Sequence, residues 1–136
     1  MNAEQNIKKL KIKLPEAKAP VGNYVATKIS GKTLFISGQI SIDENGQLIK
    51  GKVGKDLDTE AGYNAASRCA LSIIAQVQKA CDNDLSKIKS CIKLTGFVNS
   101  TEEFIEQPKV INGASDMIVS VFGDSGMHTR AAVSTN

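Results

Sequence analysis

Residues 60–81 read EAGYNAASRCALSIIAQVQKAC. Within this stretch Ala66, Cys69, Ala70, Ile73, Ile74, Val77, Ala80 and Cys81 recur at three- and four-residue spacing and form one apolar stripe. The spacing predicts a helix over 60–81. Asp58 or Thr59 is its N-cap, and Glu60 favours the helix dipole in the first turn. Asp82-Asn83-Asp84 ends it. A helix with a single apolar face requires a partner surface, so the flanking segments decide the fold.

Downstream, Lys89–Val98 alternates as a strand, with Ile92, Leu94 and Val98 on one face. A second helix spans about Pro108–Phe122. Pro108 suits its first turn, and Val110, Ile111, Ala114, Met117, Ile118 and Val121 line its inner face. Gly123 and Gly126 close it, and His128–Val133 begins another strand. Upstream, the turn Ser30-Gly31-Lys32 joins strands over Asn23–Ile29 and Thr33–Ile42. Asp43-Glu44-Asn45-Gly46 is a second hairpin turn, because Asn-Gly tolerates positive φ, and a short strand Gln47–Lys50 follows. Residues 1–15 place Ile7, Leu10, Ile12 and Leu14 among lysines, as a short helix or an edge strand that Pro15 ends. The order strand-strand-helix-strand-helix-strand is an α+β arrangement, with two helices on one face of a mixed sheet. Ile36, Ile40 and Ile42 make the other face too apolar to leave wet, so a closed homo-oligomer is expected to cover it.

A length of 136 residues without a composition shift suits one domain, 1–136, with a basic N-terminal segment at 1–15. Lys8, Lys9, Lys11 and Lys13 crowd that segment, which reads as a solvated, mobile end. The net charge is +3, and the remainder is close to neutral. With four Phe, two Tyr and no Trp, this argues against RNA or another polyanion as partner. Three cysteines without metal-like spacing read as small buried hydrophobes in a reducing compartment. With one histidine and no Cys-x-x-Cys, neither a metal nor a cofactor is expected. No signal-peptide core or membrane span is visible, which makes the cytoplasm the expected location.

Only two of the 17 basic residues are arginines, and Arg130 lies in the otherwise uncharged stretch GMHTRAAV at 126–133. A planar guanidinium grips a carboxylate or phosphate with two parallel hydrogen bonds. The alternative is a half-exposed strand arginine paired with a neighbouring acid. Three further patches stand out. Ala19–Tyr24 is a turn that delivers a tyrosine at a strand start. In Ile36-Ser37-Gly38-Gln39-Ile40 a glycine interrupts a strand, which often marks close approach by a ligand or another backbone. Lys109–Ala114 opens the second helix.

Taken in order, these patches resemble the Rid family of reactive-intermediate deaminases, also called YjgF or L-PSP endoribonucleases. The resemblance includes the Pro-x-Gly-x-Tyr turn ending at Tyr24, FISGQ at 35–39 and GKVGKD at 51–56. It continues through GFVN at 96–99, QPKVINGASD at 107–116 and His-x-Arg-x-Ala-Val at 128–133. The longer motifs resemble a branch distinct from the RidA type. The resemblance implies a chorismate-mutase-like fold (bacillus type) and a homotrimer with active sites between subunits. It places Arg130 on the substrate carboxylate and Tyr24 in the same pocket. Ser37 and Gly38 would supply a polar group and a backbone contact, and Asn112 would be a pocket asparagine. The implied chemistry is hydrolysis of 2-aminoacrylate-type enamines and imines to 2-keto acids and ammonia. The water-positioning carboxylate of RidA-type members would lie on a strand after Asn136, and Ala132 stands where a cysteine is frequent. Other roles remain open. Tyr24 suits an ordinary interface, Ser37 a backbone group, Asn112 a cap or turn, and His128 a neighbour that shapes the pocket. An endoribonuclease acting as translation inhibitor, or a non-catalytic trimer binding small carboxylates, are the competing functions.

Overall fold

In the computed structural model, which describes residues 1–135, the chain opens on a short helix, α1 (Ala3–Lys9). Asn2 and Gln5 form a reciprocal capping box at its start. Asn6 Nδ2 donates to the Val121 carbonyl at 2.8 Å, and Glu4 Oε1 accepts from the Leu85 N–H at 2.7 Å. Ala3 is buried and Ile7 packs on the core. The basic segment expected to be a mobile end is thus a docked helix. Its lysines Lys8 and Lys9 sit in the last turn, where the dipole favours them.

Strands β1 (Thr27–Ser30) and β2 (Thr33–Ile36) form an antiparallel hairpin around Gly31, whose φ is +59°. Both are shorter than expected. Beyond the Ser37 N–H bond to the Ala26 carbonyl the ladder stops, and Gly38 offers no side chain to pack there. The Asp43–Gly46 turn forms as expected. Asp43 Oδ1 accepts from the N–H groups of Asn45 and Gln47, and Gly46 takes φ +79°. Its flanks meet only at the Ile42–Leu48 bridge, so no strand forms over Gln47–Lys50.

Helix α2 runs Thr59–Ala80, with Asp58 Oδ1 accepting from the Ala61 N–H at 2.8 Å. It is followed by β3 (Lys93–Asn99), α3 (Gln107–Phe122) and β4 (Thr129–Thr135). β3 and β4 pair in parallel with α3 as their crossover, and Leu94 lies opposite Arg130. The α+β class holds, but the expected single mixed sheet is two separate two-stranded sheets. Among the described strands the hairpin strands pair with each other and β3 with β4, while the Asn99 carbonyl at the end of β3 also accepts from the Val53 N–H at 2.9 Å.

α2 and α3 pack on each other through a core that includes Ala70, Ile74, Ile118 and Val121. Gly113 permits their closest approach: a Cβ there would stand 1.9 Å from the Tyr63 carbonyl oxygen. Leu94, Gly96 and Val98 of β3 face the helices, whereas Phe97 is 69% exposed on the outer side. Ile92 precedes the strand and is exposed, so it does not share the Leu94–Val98 face. Ile36, expected on the far face, packs against the core, while Ile40 stays exposed. Among the described residues no helix is long and apolar enough to cross a membrane.

Candidate functional site

Strand alternation puts Arg130, with Ala132 and Ser134, on the face of β4 that meets α3. Arg130 Nη1 donates to Asn112 Oδ1 at 2.7 Å and to Ser115 Oγ at 3.2 Å, and Nη2 reaches the Pro108 carbonyl at 3.4 Å. Residues 108, 112 and 115 lie a turn apart on one side of α3, so a single helix face supplies all three acceptors. Each acceptor is neutral. The ion pairs among the described residues are Lys87–Asp82 and Lys109–Glu106, and neither involves Arg130. The alternative of a strand arginine paired with a neighbouring acid is therefore not what the fold contains. A guanidinium carries five N–H donors, so Nε and one Nη2 proton stay available.

His128 stands at the entry to β4. Its Nδ1 lies 2.6 Å from the Gly126 carbonyl, and its Nε2 lies 2.9 Å from Ser115 Oγ. Ser115, His128 and Arg130 line one shallow hollow of about 510 Å³, with Asp116, Val119, Ser120 and Met127. At its edge Tyr63 Oη donates to Asp116 Oδ2 at 2.6 Å, which ties α2 to α3. That hydrogen bond, helped by burial and the carboxylate's charge, raises the tyrosine's pKa. A larger hollow of about 760 Å³ opens at the start of α2. Its carboxylates Asp56 and Asp58 accept from the backbone N–H groups of Lys52 and Ala61, and so shape the turn and the helix start.

Of the residues singled out in the sequence, only Asn112 and Arg130 touch. Asn112 neither caps nor turns the chain; it is inside α3 and holds the guanidinium. Tyr24 is 56% exposed. Ser37 Oγ donates to the Val25 carbonyl at 2.7 Å and so satisfies backbone. Gly38 faces open space: a Cβ there would meet nothing within 4 Å, so no close approach within this chain requires glycine. The hairpin bearing these residues packs against α2, whereas Arg130 packs against α3. Ser115 escaped the sequence reading. Its signal was the spacing of Asn112, Ser115, Asp116 and Ser120, which repeats the helix period on a polar face. Among the described residues no group of three metal-ligating side chains occurs. The strand expected beyond Asn136 lies outside the described residues.

The class is α+β, with a parallel strand–helix–strand unit whose second strand aims Arg130 at the crossover helix. The chain belongs to the family described as "YjgF/chorismate mutase-like, putative endoribonuclease", whose model matches residues 4–136. It is 46% identical over 129 residues to Protein TCP17 of Trypanosoma cruzi, covering 94% of this chain and 80% of that protein. The crystal structure of Atu1372 from Agrobacterium tumefaciens, a protein described as of unknown function, is also similar. It superposes with a TM-score of 0.88 at 46% identity, covering 98% of this chain and 82% of that one. A protein of Shewanella oneidensis MR-1 carrying the same endoribonuclease description as the family gives a TM-score of 0.93 at 36% identity, covering 100% of this chain and 89% of that one.

Proposed function

We propose that the protein is a hydrolase that binds small 2-imino or 2-enamino acids through Arg130 and releases 2-keto acid and ammonia. The observation that carries this reading is a half-buried guanidinium fixed by three neutral oxygens, with no ion pair to an acid among the described residues. Such an arginine is preorganised for a carboxylate supplied by a ligand. Clamping the carboxylate holds C2, one bond away, over the hollow where water attacks. The reading includes a cytoplasmic homotrimer in which Tyr24 and Ser37 of one subunit complete the Arg130 site of the next. It is supported by the separation of the two groups within one chain. It is also supported by Phe97 and Val133, paired in register on the outer face of β3–β4 and 69% and 43% exposed.

The test is ammonia and keto-acid release from freshly generated 2-aminoacrylate. Turnover above the spontaneous rate, lost in Arg130→Ala, is the expected result. Pyruvate binding without turnover would instead make the protein a non-catalytic carboxylate binder. The endoribonuclease reading draws on the family's description and on the ability of a guanidinium to take phosphate. A chain with one histidine and few aromatics supports it less.

A further inference from the structure

We propose that Ser115 and His128 form a proton relay that activates the attacking water and then protonates the departing amine. The proposal rests on the imine-hydrolysis reading above. The direction of each hydrogen bond carries it. A guanidinium only donates, so Ser115 Oγ accepts from Arg130 Nη1 at 3.2 Å. The Gly126 carbonyl only accepts, so at 2.6 Å it keeps a proton on His128 Nδ1. Neutral imidazole then presents its Nε2 lone pair to Ser115 Oγ at 2.9 Å, and the serine's own proton points at it. This is a hydroxyl, a base and a group that orients the base, with a peptide carbonyl in the third role. The neighbouring guanidinium stabilises negative charge developing on the serine oxygen. Ser115, His128 and Arg130 all border one hollow, so the relay opens onto the volume where a carboxylate-anchored C2 would sit.

The water oxygen bonds to C2 of the iminium, and the C=N π pair moves to nitrogen. The water's proton passes to Ser115 Oγ as the serine's proton passes to His128 Nε2, leaving a carbinolamine. The imidazolium then returns its proton through Ser115 to the amine nitrogen. The C–N bond breaks, the carbinolamine oxygen closes to the keto group, and the hydroxyl proton leaves with the ammonia as ammonium.

Three measurements on wild type, Ser115→Ala, Ser115→Thr and His128→Ala test this. They are ammonia release from 2-aminoacrylate, exchange of the C2 oxygen of pyruvate with ¹⁸O-water by mass spectrometry, and pyruvate affinity by calorimetry. Oxygen exchange needs the same water addition but no amine. Ser115→Ala and His128→Ala should each slow both rates about a hundredfold or more, with pyruvate still bound. Ser115→Thr, which keeps the hydroxyl, should stay active, and added imidazole should partly restore His128→Ala. Wild-type rates in Ser115→Ala and His128→Ala would overturn the relay while leaving imine hydrolysis standing. So would parallel loss of pyruvate affinity without imidazole rescue, because the pair would then merely hold Arg130. Oxygen exchange that depends on both residues, without ammonia release, would keep the relay and refute imine hydrolysis. Neither activity in wild type would refute both.

Discussion

The proposed chemistry turns on Arg130, whose guanidinium is held by three oxygens of α3. Lysine keeps the charge but has no planar fork, so it loses the geometry that Asn112 and Ser115 fix. Arg130→Lys should weaken binding of a 2-keto acid by about 1.5–3 kcal/mol, the range for a charged hydrogen bond. Calorimetry with pyruvate checks this, and unchanged affinity in a folded variant would make Arg130 structural. Cys69 gives a second prediction at this scale. Burial pushes its thiol from the ordinary 9.0 up to about 11, against a smaller opposing pull from a backbone hydrogen bond. Between those values the folded chain keeps the proton and the unfolded chain has lost it. The unfolded state then binds fewer protons, so stability falls as pH rises through that window. The urea midpoint should drop between about pH 8 and about pH 11, and Cys69→Ala should shallow the drop. The same slope in Cys69→Ala would assign the effect to other groups.

Among the elements, the α2–α3 contact is the most constrained. Gly113 lets the α3 backbone rest on the Tyr63 carbonyl, and a methyl group there would stand 1.9 Å from that oxygen. The obstacle is backbone, so no rotamer change relieves it. Gly113→Ala should destabilise by at least about 2 kcal/mol through overpacking, seen as a lower denaturation midpoint at unchanged slope. Gly96→Ala meets the side chain of Ile111 instead, its Cγ1 and Cγ2 as well as Cδ1, an obstacle of side chain rather than backbone. It should cost less than Gly113→Ala, and the reverse order would contradict this account. The hydrogen bonds of α1 to Val121 and Leu85 pin the basic segment against the end of α3.

For the whole molecule, the outer face of β3–β4 sets the expectation. Phe97 and Val133 lie side by side on a strand pair that has no layer over it in one chain. Light scattering at micromolar concentration should give the mass of three subunits. Phe97→Asp should release single subunits that keep their helical circular dichroism, because Phe97 contributes little to the core of one chain. A wild-type mass of one subunit would remove the trimer, and with it the route that brings Tyr24 to Arg130.

The sequence by itself determined the two long helices. The stripe over 60–81 and the Asp58 cap place α2 to within a residue at each end, and Pro108 does nearly the same for α3. Helical hydrogen bonds and caps are local, so a local pattern specifies them. It also made Arg130 conspicuous as an arginine among uncharged neighbours. Sheet pairing was less legible, because a strand's partner is chosen by distant segments. Thr33–Ile42 alternates well enough for one strand, yet the ladder ends soon after Ile36 and the sheet divides in two. Ile36 faces the core for the same reason: nothing in a two-residue period says which side the helices cover. The fate of the basic N-terminus depended on carbonyls and amides more than 80 residues away. Only the tertiary structure decided that Arg130 forms no ion pair among the described residues, and that Ser115 stands between it and His128. Those contacts join a helix to the strand that follows it, and their geometry is set by the packing of α3 on β4.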